Sequence, residues 1–500
     1  MTLEKARRRL GDLQKTVTAY RHALGLLFYD GATTAPRGTA ANRGRTTAVL
    51  SRELYRINTA PETLALLAFL EENRTALTAP EARALDLLRK ESVKLERIPA
   101  EEYMAFRRLS TEANAVWRTA KETDDFALFE PYLQKRSEMS RRIAGYCAPG
   151  TDPYDYWLGD NEEGVDRALC DDFFAAVYRR VVPLLRAVSS RPKPDNSVIK
   201  GRFPASPQER LARKLMAILH LDPLHVGLGT TEHPFTTSLG SHHDERITTH
   251  YYEEDWSYSL FSVIHEGGHA LYNTGSDDSL AYTVLDGGVS MCIHESQSRF
   301  YENYLGRSRA FCEYLFPIAR EIFPDHLRCH TAEEFYRAVN RAEPTLIRTQ
   351  ADELTYCLHV MVRYELEKAV MDGALAVRDL PGEWNRLYKE YLGIDVPDDR
   401  RGVLQDSHWA DGYLGYFPSY ALGNAYGAQF LRKMKETVDV DGCLNRGDLG
   451  PINAWNRQHI WQYGCLLRPG ELFERAAGGP FDPTVYTDYL EQKYHQLYQL

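Results

Sequence analysis

Helical periodicity sets the fold class of this chain. Leu3, Leu10, Leu13 and Val17 recur on one side of a helix with 3.6 residues per turn. Charged segments rich in Ala and Leu follow as far as about residue 145. The pattern predicts a mainly α-helical protein.

Two segments rich in Pro, Gly and Asp interrupt this pattern, at residues 148–164 and 189–197, and are expected to be loops. The second one indicates a boundary between a helical front lobe, about 1–195, and a second lobe, about 196–500. No repeat or low-complexity segment separates independent domains. We therefore expect one domain over residues 1–500, folded as a large two-lobed helical body with a deep central cleft.

Residues 233–255 depart from the helical pattern. Their Thr, Ile and Tyr residues form two short runs separated by the sequence GSHHD. Such runs are typical of strands, so the segment predicts a β-hairpin. A small antiparallel sheet should then lie beside the helix that follows.

Composition excludes several classes of protein. With 43% hydrophobic and 26% charged residues the 500-residue chain can bury a large core, and its net charge of −10 argues against a nucleic-acid partner. Eight scattered cysteines without a C-x-x-C pair suggest reduced thiols. No run approaches the roughly 18 apolar residues of a membrane span, and the N-terminal region lacks the apolar stretch of a signal peptide. We expect a cytoplasmic protein without membrane contact.

The sequence HEGGH, residues 265–269, indicates a metal site. On a helix His265 and His269 lie on one face, one turn apart, so both imidazoles can reach one ion. Glu266 is offset by one position, which keeps it out of the ligand set but close enough to act as a general base. The alternative is a helix that carries two histidines in the core.

A third protein ligand is needed, and a carboxylate after this helix is the expected type. Asp277 and Asp278 follow the helix too closely and are expected to cap or to face solvent. Glu295 lies in the middle of a second predicted helix, 287–305, whose return would bring it beside the histidines. An ion pair with Arg299 is its alternative role, and spacing leaves other carboxylates open, namely Asp286 and Glu302.

A series of motifs resembles, in order, those of the carboxypeptidase Taq family of metallocarboxypeptidases. The motifs are HPF (233–235), DERIT (244–248), HEGGH (265–269), HESQ (294–297), IRTQAD (347–352) and GVLQDSHW (402–409). Segments 29–44 and 478–494 extend the similarity over nearly the whole chain. Tyr29 and Asn273 depart from the residues usual in the family.

The resemblance implies one divalent metal ion per chain, zinc with cobalt as the alternative, held by His265, His269 and Glu295. It implies that water at the open position of the ion attacks the scissile carbonyl, with Glu266 as general base and then acid. It further implies a homodimer that releases C-terminal residues from peptides but spares C-terminal proline.

A carboxypeptidase has to bind a terminal carboxylate, for which the planar guanidinium of Arg is best suited. Arg348, on a helix predicted over about 345–370, is the first choice for this role, and Arg246 in the hairpin is the reserve. An internal pair between Arg348 and Asp352 is the alternative. By similarity to related zinc peptidases, Tyr420 would donate to the oxyanion and His408 would contact the substrate, both from a loop-like segment, 408–424.

Substrate contacts and rival functions complete the expectations. A strand edge beside the metal would hold the main chain of a peptide without reading its side chains, which predicts broad specificity. An endo-acting oligopeptidase would share the metal chemistry but need no carboxylate-binding arginine. A metal-free helical scaffold is the rival from outside the enzymes.

Overall fold

A computed structural model describes the backbone of residues 1–500 and every side chain except those of Glu91 and Leu95. Helices make up 69% of the chain, and the described residues form 22 α-helices and one three-stranded sheet. The mainly α-helical class is therefore confirmed. None of the described cysteines forms a disulfide, and no described helix is both long and apolar enough to span a membrane.

The elements are numbered along the chain. Before the sheet lie α1 (Leu3–Thr33), α2 (Ala40–Thr59), α3 (Pro61–Glu72), α4 (Ala79–Arg97), α5 (Ala100–Thr123), α6 (Phe126–Cys147), α7 (Pro153–Asn161), α8 (Arg167–Ser189) and α9 (Ala205–Ile218). The strands are β1 (Val226–Thr230), β2 (Thr236–Leu239) and β3 (Ser241–Thr249). After them come α10 (Trp256–Thr274), α11 (Met291–Arg299), α12 (Arg309–Ile322), α13 (Pro324–Leu327), α14 (Ala332–Val339), α15 (Tyr356–Met371), α16 (Leu380–Leu392), α17 (His408–Asp411), α18 (Phe417–Met434), α19 (Val440–Arg446), α20 (Gly450–His459), α21 (Pro469–Ala477) and α22 (Pro483–Tyr498).

The chain forms two compact units, each built from three separate stretches. The first unit contains Met1–Val93, Asp195–Val339 and Phe430–Pro480. The second contains Lys94–Pro194, Asn340–Gln429 and Phe481–Leu500. One crossing falls inside the loop 189–197, whereas others fall within α4 and α18, where no loop signal exists. The division into continuous lobes at about residue 195 stays a prediction.

The segment 148–164 is not only a loop, as expected, because it contains α7. Pro153 occupies the first turn of this helix, where its missing N–H costs nothing. The Asp152 side chain accepts hydrogen bonds from the backbone N–H groups of Tyr154 and Asp155. The Pro and Asp residues that indicated a loop therefore begin a helix.

The sheet lies in the first unit and has the strand order β1-β3-β2. β2 and β3 pair antiparallel, as the predicted hairpin requires, but β1 pairs parallel with β3. The sheet is therefore mixed, and the expectation of a wholly antiparallel sheet was wrong. Parallel pairing needs a crossover connection, which the local alternation of residues does not specify.

The hairpin turn is tighter than the sequence suggested. Gly240, with φ of 79°, makes the turn, so most of the GSHHD segment belongs to β3. Ser238 pairs with Glu245, but the next residue, Leu239, pairs with Ser241. Residues 242–244 therefore form a bulge without partners on β2, and such a bulge changes the direction of its side chains.

The helix α10 carries the HEGGH motif through the core of the first unit. Its N-terminus is capped by Asp255, whose side chain accepts from the Ser257 N–H. Fourteen of its 19 residues are buried, as expected for a helix that is apolar on most sides. It packs against β3, α9 and α11.

Gly268 allows α10 to approach α11 at backbone distance. A Cβ atom at this position would lie 2.7 Å from the Gln297 carbonyl oxygen and 2.8 Å from the Ser298 Cα. Both are backbone atoms, so relief requires a movement of α11 itself. This contact positions α11 relative to the histidines of α10.

We predict that Gly268→Ala destabilises the protein by about 1–3 kcal/mol, because the added methyl group overpacks a helix interface. Gly11→Ala in α1 is the matched control, since a Cβ atom there meets nothing within 4 Å. The control should gain about 0.5–1 kcal/mol from helix propensity. Urea unfolding measures both changes, and equal effects of the two variants would contradict the close contact.

Candidate active site

His265 and His269 lie one turn apart on α10, with ring centroids separated by 5.1 Å. Their Nε2 atoms lie 3.9 Å and 3.7 Å from Oε2 of Glu295 on α11. The three donor atoms all fall within 4.8 Å of one another. Two imidazoles and a carboxylate at this spacing fit a divalent ion that keeps an open coordination position.

The other nitrogen of each ring is already engaged, which leaves Nε2 for an ion. His265 Nδ1 lies 2.9 Å from Glu302 Oε2, and His269 Nδ1 lies 3.3 Å from Nδ1 of His294. Burial lowers the pKa of His294 to about 4, so this ring is neutral at pH 7. With protons on Nδ1 of both histidines, the two Nε2 lone pairs face Glu295.

Glu302 is the carboxylate that sequence spacing left open as a ligand. It lies on a π-helical segment, Phe300–Gly306, that continues α11. Arg299 and Arg307 each donate to it at 3.0 Å. Burial opposes its ionisation, but Arg299 and the His265 contact hold the pKa of Glu302 well below the ordinary value. Its position fits the orientation of His265 rather than contact with an ion.

Glu295 is buried, and it contacts both Arg299 and the two histidines of α10. Arg299 Nε donates to Oε1 at 2.7 Å, while Oε2 faces the two histidines. The pair with Arg299 is therefore not a surface pair but holds the carboxylate in one orientation. Because Arg299 already fixes the Glu295 side chain, binding of an ion to Oε2 would cost little further side-chain entropy.

Glu266 lies beside His265 and is held by a residue that sequence analysis missed. The Thr236 hydroxyl donates a hydrogen bond of 2.6 Å to Glu266 Oε2. Burial raises the pKa of Glu266, although the charge of His265 and the Thr236 contact act in the opposite direction. Thr236 directly follows the HPF motif and begins β2, which is the signal that could have indicated it.

Arg348 lies in the second unit, and its surroundings differ from those expected. The predicted helix over 345–370 begins only at Tyr356, and Arg348 sits in a short 3-10 turn, Arg348–Gln350. Its partner is Asp406 rather than Asp352, with Nη2–Oδ1 at 2.9 Å. Asp352 instead accepts from the Glu343 N–H.

Arg363 and Asp406 complete this cluster and were not predicted as site residues. Arg363 Nε donates to Asp406 Oδ2 at 2.7 Å. Although burial disfavours the charged carboxylate, Arg363 and Arg348 hold the pKa of Asp406 well below the ordinary value. Two guanidinium groups thus share one carboxylate. The buried group of Arg348, Arg363 and Asp406 therefore carries a net positive charge.

His408 and Tyr420 belong to the same unit, and the expectation of a loop over 408–424 was wrong. His408 begins α17, and Tyr420 lies in the first turns of α18. His408 Nε2 lies 3.3 Å from the Tyr420 hydroxyl, and the Tyr420 ring centroid lies 5.0 Å from the Arg348 guanidinium carbon. Burial lowers the pKa of His408 to about 4, so its ring is neutral at pH 7.

Arg246, the reserve candidate, lies on β3 in the first unit. Its side chain is 28% exposed, pairs with Asp244 and donates to the Glu245 carbonyl oxygen. It is more accessible than Arg348, whose side chain is 7% exposed. The two arginines therefore differ in solvation, and their roles remain predictions.

Comparison with known families decides the class. The family model described as carboxypeptidase Taq (M32) metallopeptidase matches residues 9–494. The chain belongs to this family.

Named carboxypeptidases match this chain over nearly their whole length. Carboxypeptidase 1 of Bacillus subtilis is 38% identical over 491 residues, covering 98% of each chain. Thermostable carboxypeptidase 1 of Thermus thermophilus is 37% identical, with 100% of both chains covered. The crystal structure of the M32 carboxypeptidase from Deinococcus radiodurans superimposes with a TM-score of 0.96 at 36% identity, covering 99% of this chain and 100% of that one. This M32 protein is thus a metal-dependent carboxypeptidase, and its substrates are peptides.

The candidate ligand set predicts how metal retention responds to substitution. Native protein passed through metal-free buffer should keep about one divalent ion, and chelation should abolish activity reversibly. Glu295→Gln, like His265→Ala or His269→Ala, should lose the ion. Glu302→Gln should keep it with an affinity lowered by roughly 10–100-fold, because only the orientation of His265 is disturbed. Metal analysis distinguishes these cases, and loss of the ion from the Glu302 variant alone would reverse the assignment.

Proposed function

We propose that this M32 protein is a zinc-type carboxypeptidase in which His265, His269 and Glu295 hold the ion and Glu266 transfers protons. The convergence of the two Nε2 atoms and Glu295 Oε2, with Glu266 next to His265, is the observation that supports it most. A nitrogen-rich, mixed donor set suits zinc, and cobalt is the alternative with similar preferences. When bound, the ion polarises the scissile carbonyl and makes water more acidic.

Glu266 would act first as base and then as acid. Its carboxylate takes a proton from the water that attacks the carbonyl carbon, and passes it to the amide nitrogen as the C–N bond breaks. Burial raises the pKa of Glu266, which makes its carboxylate a stronger base. The Thr236 hydroxyl holds one carboxylate oxygen, so the other can face water and substrate.

Arg348 would bind the terminal carboxylate of the peptide. Arg348 and Arg363 share Asp406, so a substrate carboxylate would offset the excess positive charge. Arg246 remains the reserve for this role. The neutral ring of His408 would contact the substrate, and the Tyr420 hydroxyl would turn from His408 to donate to the oxygen that becomes negative.

The sheet suggests how peptides of different sequence would be accepted. β2 is an edge strand, and it begins at Thr236, which contacts Glu266. A peptide paired with this edge would be held through its main chain close to the base, which favours broad specificity. The exclusion of C-terminal proline, the homodimer and the cytoplasmic location stay proposals carried over from the family resemblance.

We predict that Glu266→Gln keeps the ion but lowers kcat by about 10²-fold or more, because the amide cannot accept the proton. Glu245→Gln is the matched control in the same unit. Burial raises the pKa of Glu245 to about 8, so the carboxyl group is already protonated at pH 7 and the amide imitates it. The control should turn over at a near-native rate. Near-native turnover of the metal-loaded Glu266 variant would exclude Glu266 from proton transfer.

We predict that Arg348→Ala lowers kcat/KM on free-acid peptides by about 2–4 kcal/mol, while hardly changing the already poor hydrolysis of the matching peptide amides. An amide leaves the guanidinium without an anionic partner, so the native enzyme itself should prefer the acid. Steady-state kinetics on both peptides measure this double difference.

Three outcomes of this experiment separate the alternatives. Equal losses on acid and amide would indicate damage to the fold or a carboxylate bound elsewhere, and Arg246→Ala is then compared on the same peptides. Efficient internal cleavage of the amide by native enzyme would favour an endo-acting oligopeptidase. Absence of turnover by metal-loaded native protein would leave the scaffold alternative.

A further inference from the structure

A second group of metal-binding side chains lies outside the site described above. Among the described residues, only two sets of three His, Cys, Asp or Glu donors come within 4.8 Å of one another. The second set is His242, His243 and Asp278, all in the first unit. None of the three takes part in the proposed peptide hydrolysis.

The bulge in β3 explains how neighbouring histidines face the same way. In a regular strand consecutive side chains point to opposite faces, so His242 and His243 would be separated. Both residues lie within the bulge 242–244, and their ring centroids are only 4.0 Å apart. Together they line one cavity of about 460 Å³ in the first unit, which His225 also lines.

His242 is held as metal-ligating histidines usually are. Its Nδ1 lies 2.7 Å from Asp286 Oδ1, and its backbone N–H donates to Asp286 Oδ2 at 3.1 Å. The Asp286 side chain is only 6% exposed, so this contact is protected from water. A proton on Nδ1 leaves the Nε2 lone pair on the side of Asp278, which is the usual arrangement of carboxylate, histidine and metal.

Asp278 supplies the anionic donor from the turn that follows α10. Its Oδ1 lies 3.1 Å from His242 Nε2 and 3.8 Å from His243 Nε2. The neighbouring Asp277 caps the turn through the Ser279 N–H, which leaves the Asp278 side chain available. The Asp278 side chain is 85% exposed, so an ion can enter directly from solvent.

We propose that His242, His243 and Asp278 form a second divalent-metal site, which takes a borderline ion such as Zn²⁺ or Ni²⁺ and ties the bulge of β3 to the turn after α10. Two imidazoles and one carboxylate are the donors that such ions prefer over Mg²⁺ or Ca²⁺. His243 and Asp278 are both exposed, and no fourth donor among the described residues lies within 4.8 Å of all three. This site therefore exchanges its ion faster than the less exposed first site.

The alternative is an ion pair without metal. The hydrogen bond to Asp286 raises the pKa of His242, and a protonated ring would also sit well between two carboxylates. An ion pair needs only His242 and the two aspartates, however, whereas a metal site also needs His243. The contribution of His243 to binding therefore separates the two cases.

Zinc titration of metal-free protein tests the proposal in a chain whose first site is removed by His265→Ala and His269→Ala. This chain should bind one Zn²⁺, measured by calorimetry, and its Tm should rise with added Zn²⁺. A further His243→Ala or Asp278→Asn should weaken binding at least tenfold. Asp286→Asn should weaken it by roughly 10–100-fold through the orientation of His242.

Asp277→Asn is the matched control, since it removes the same charge from the same turn and Asn still caps it. Unchanged Zn²⁺ affinity in the Asp278 variant, an equal loss in the Asp277 variant, or no binding at all would overturn the proposal. If the chain without the first site does not fold, native protein at saturating Zn²⁺ should hold two ions and the His243→Ala, Asp278→Asn double variant one. One ion in both would equally overturn it. Neither result depends on peptide hydrolysis.

Discussion

The backbone contact between α10 and α11 is the constraint on which the candidate metal site depends. His269 and Glu295 are 26 residues apart in sequence, and they meet only because Gly268 lets the backbone of Gln297 and Ser298 come within van der Waals distance. A side chain between the helices would separate the donors by more than the tolerance of a coordination sphere, since metal–ligand distances vary by only about 0.2 Å. Packing of the core and assembly of the site are thus one event.

The helix periodicity of the sequence predicted the part of the site that is local. The i,i+4 spacing of His265 and His269 requires only that the segment be helical, and the structure makes it so. Glu295 and Glu302 were harder to separate, because residues seven apart lie on nearly the same face of a helix. Their different contacts arise from the approach of α10, which no local pattern encodes.

Contacts between distant segments account for what the sequence did not predict. Thr236 reaches Glu266 from a strand, and Asp406 reaches Arg348 and Arg363 from a different part of the chain. The alternative pair of Arg348 with Asp352 requires a helix at these residues, but α15 begins only at Tyr356. Similarly, the parallel pairing of β1 with β3 depends on a crossover connection, which local sequence does not specify. The antiparallel hairpin of β2 and β3 is joined by a turn at Gly240, so the local sequence could predict it.

The division of each unit among three stretches has a consequence for synthesis on the ribosome. Residues 430–480 complete the unit that contains the candidate metal ligands. Within them Trp461 donates to Gln297, directly beside the Gly268 contact. At the usual 5–20 residues per second, Pro480 is added about 10–40 s after Glu295. The other unit requires residues 481–500 as well. Neither unit can therefore reach its final packing before these distant residues have been added, and each exposes an incomplete core until then.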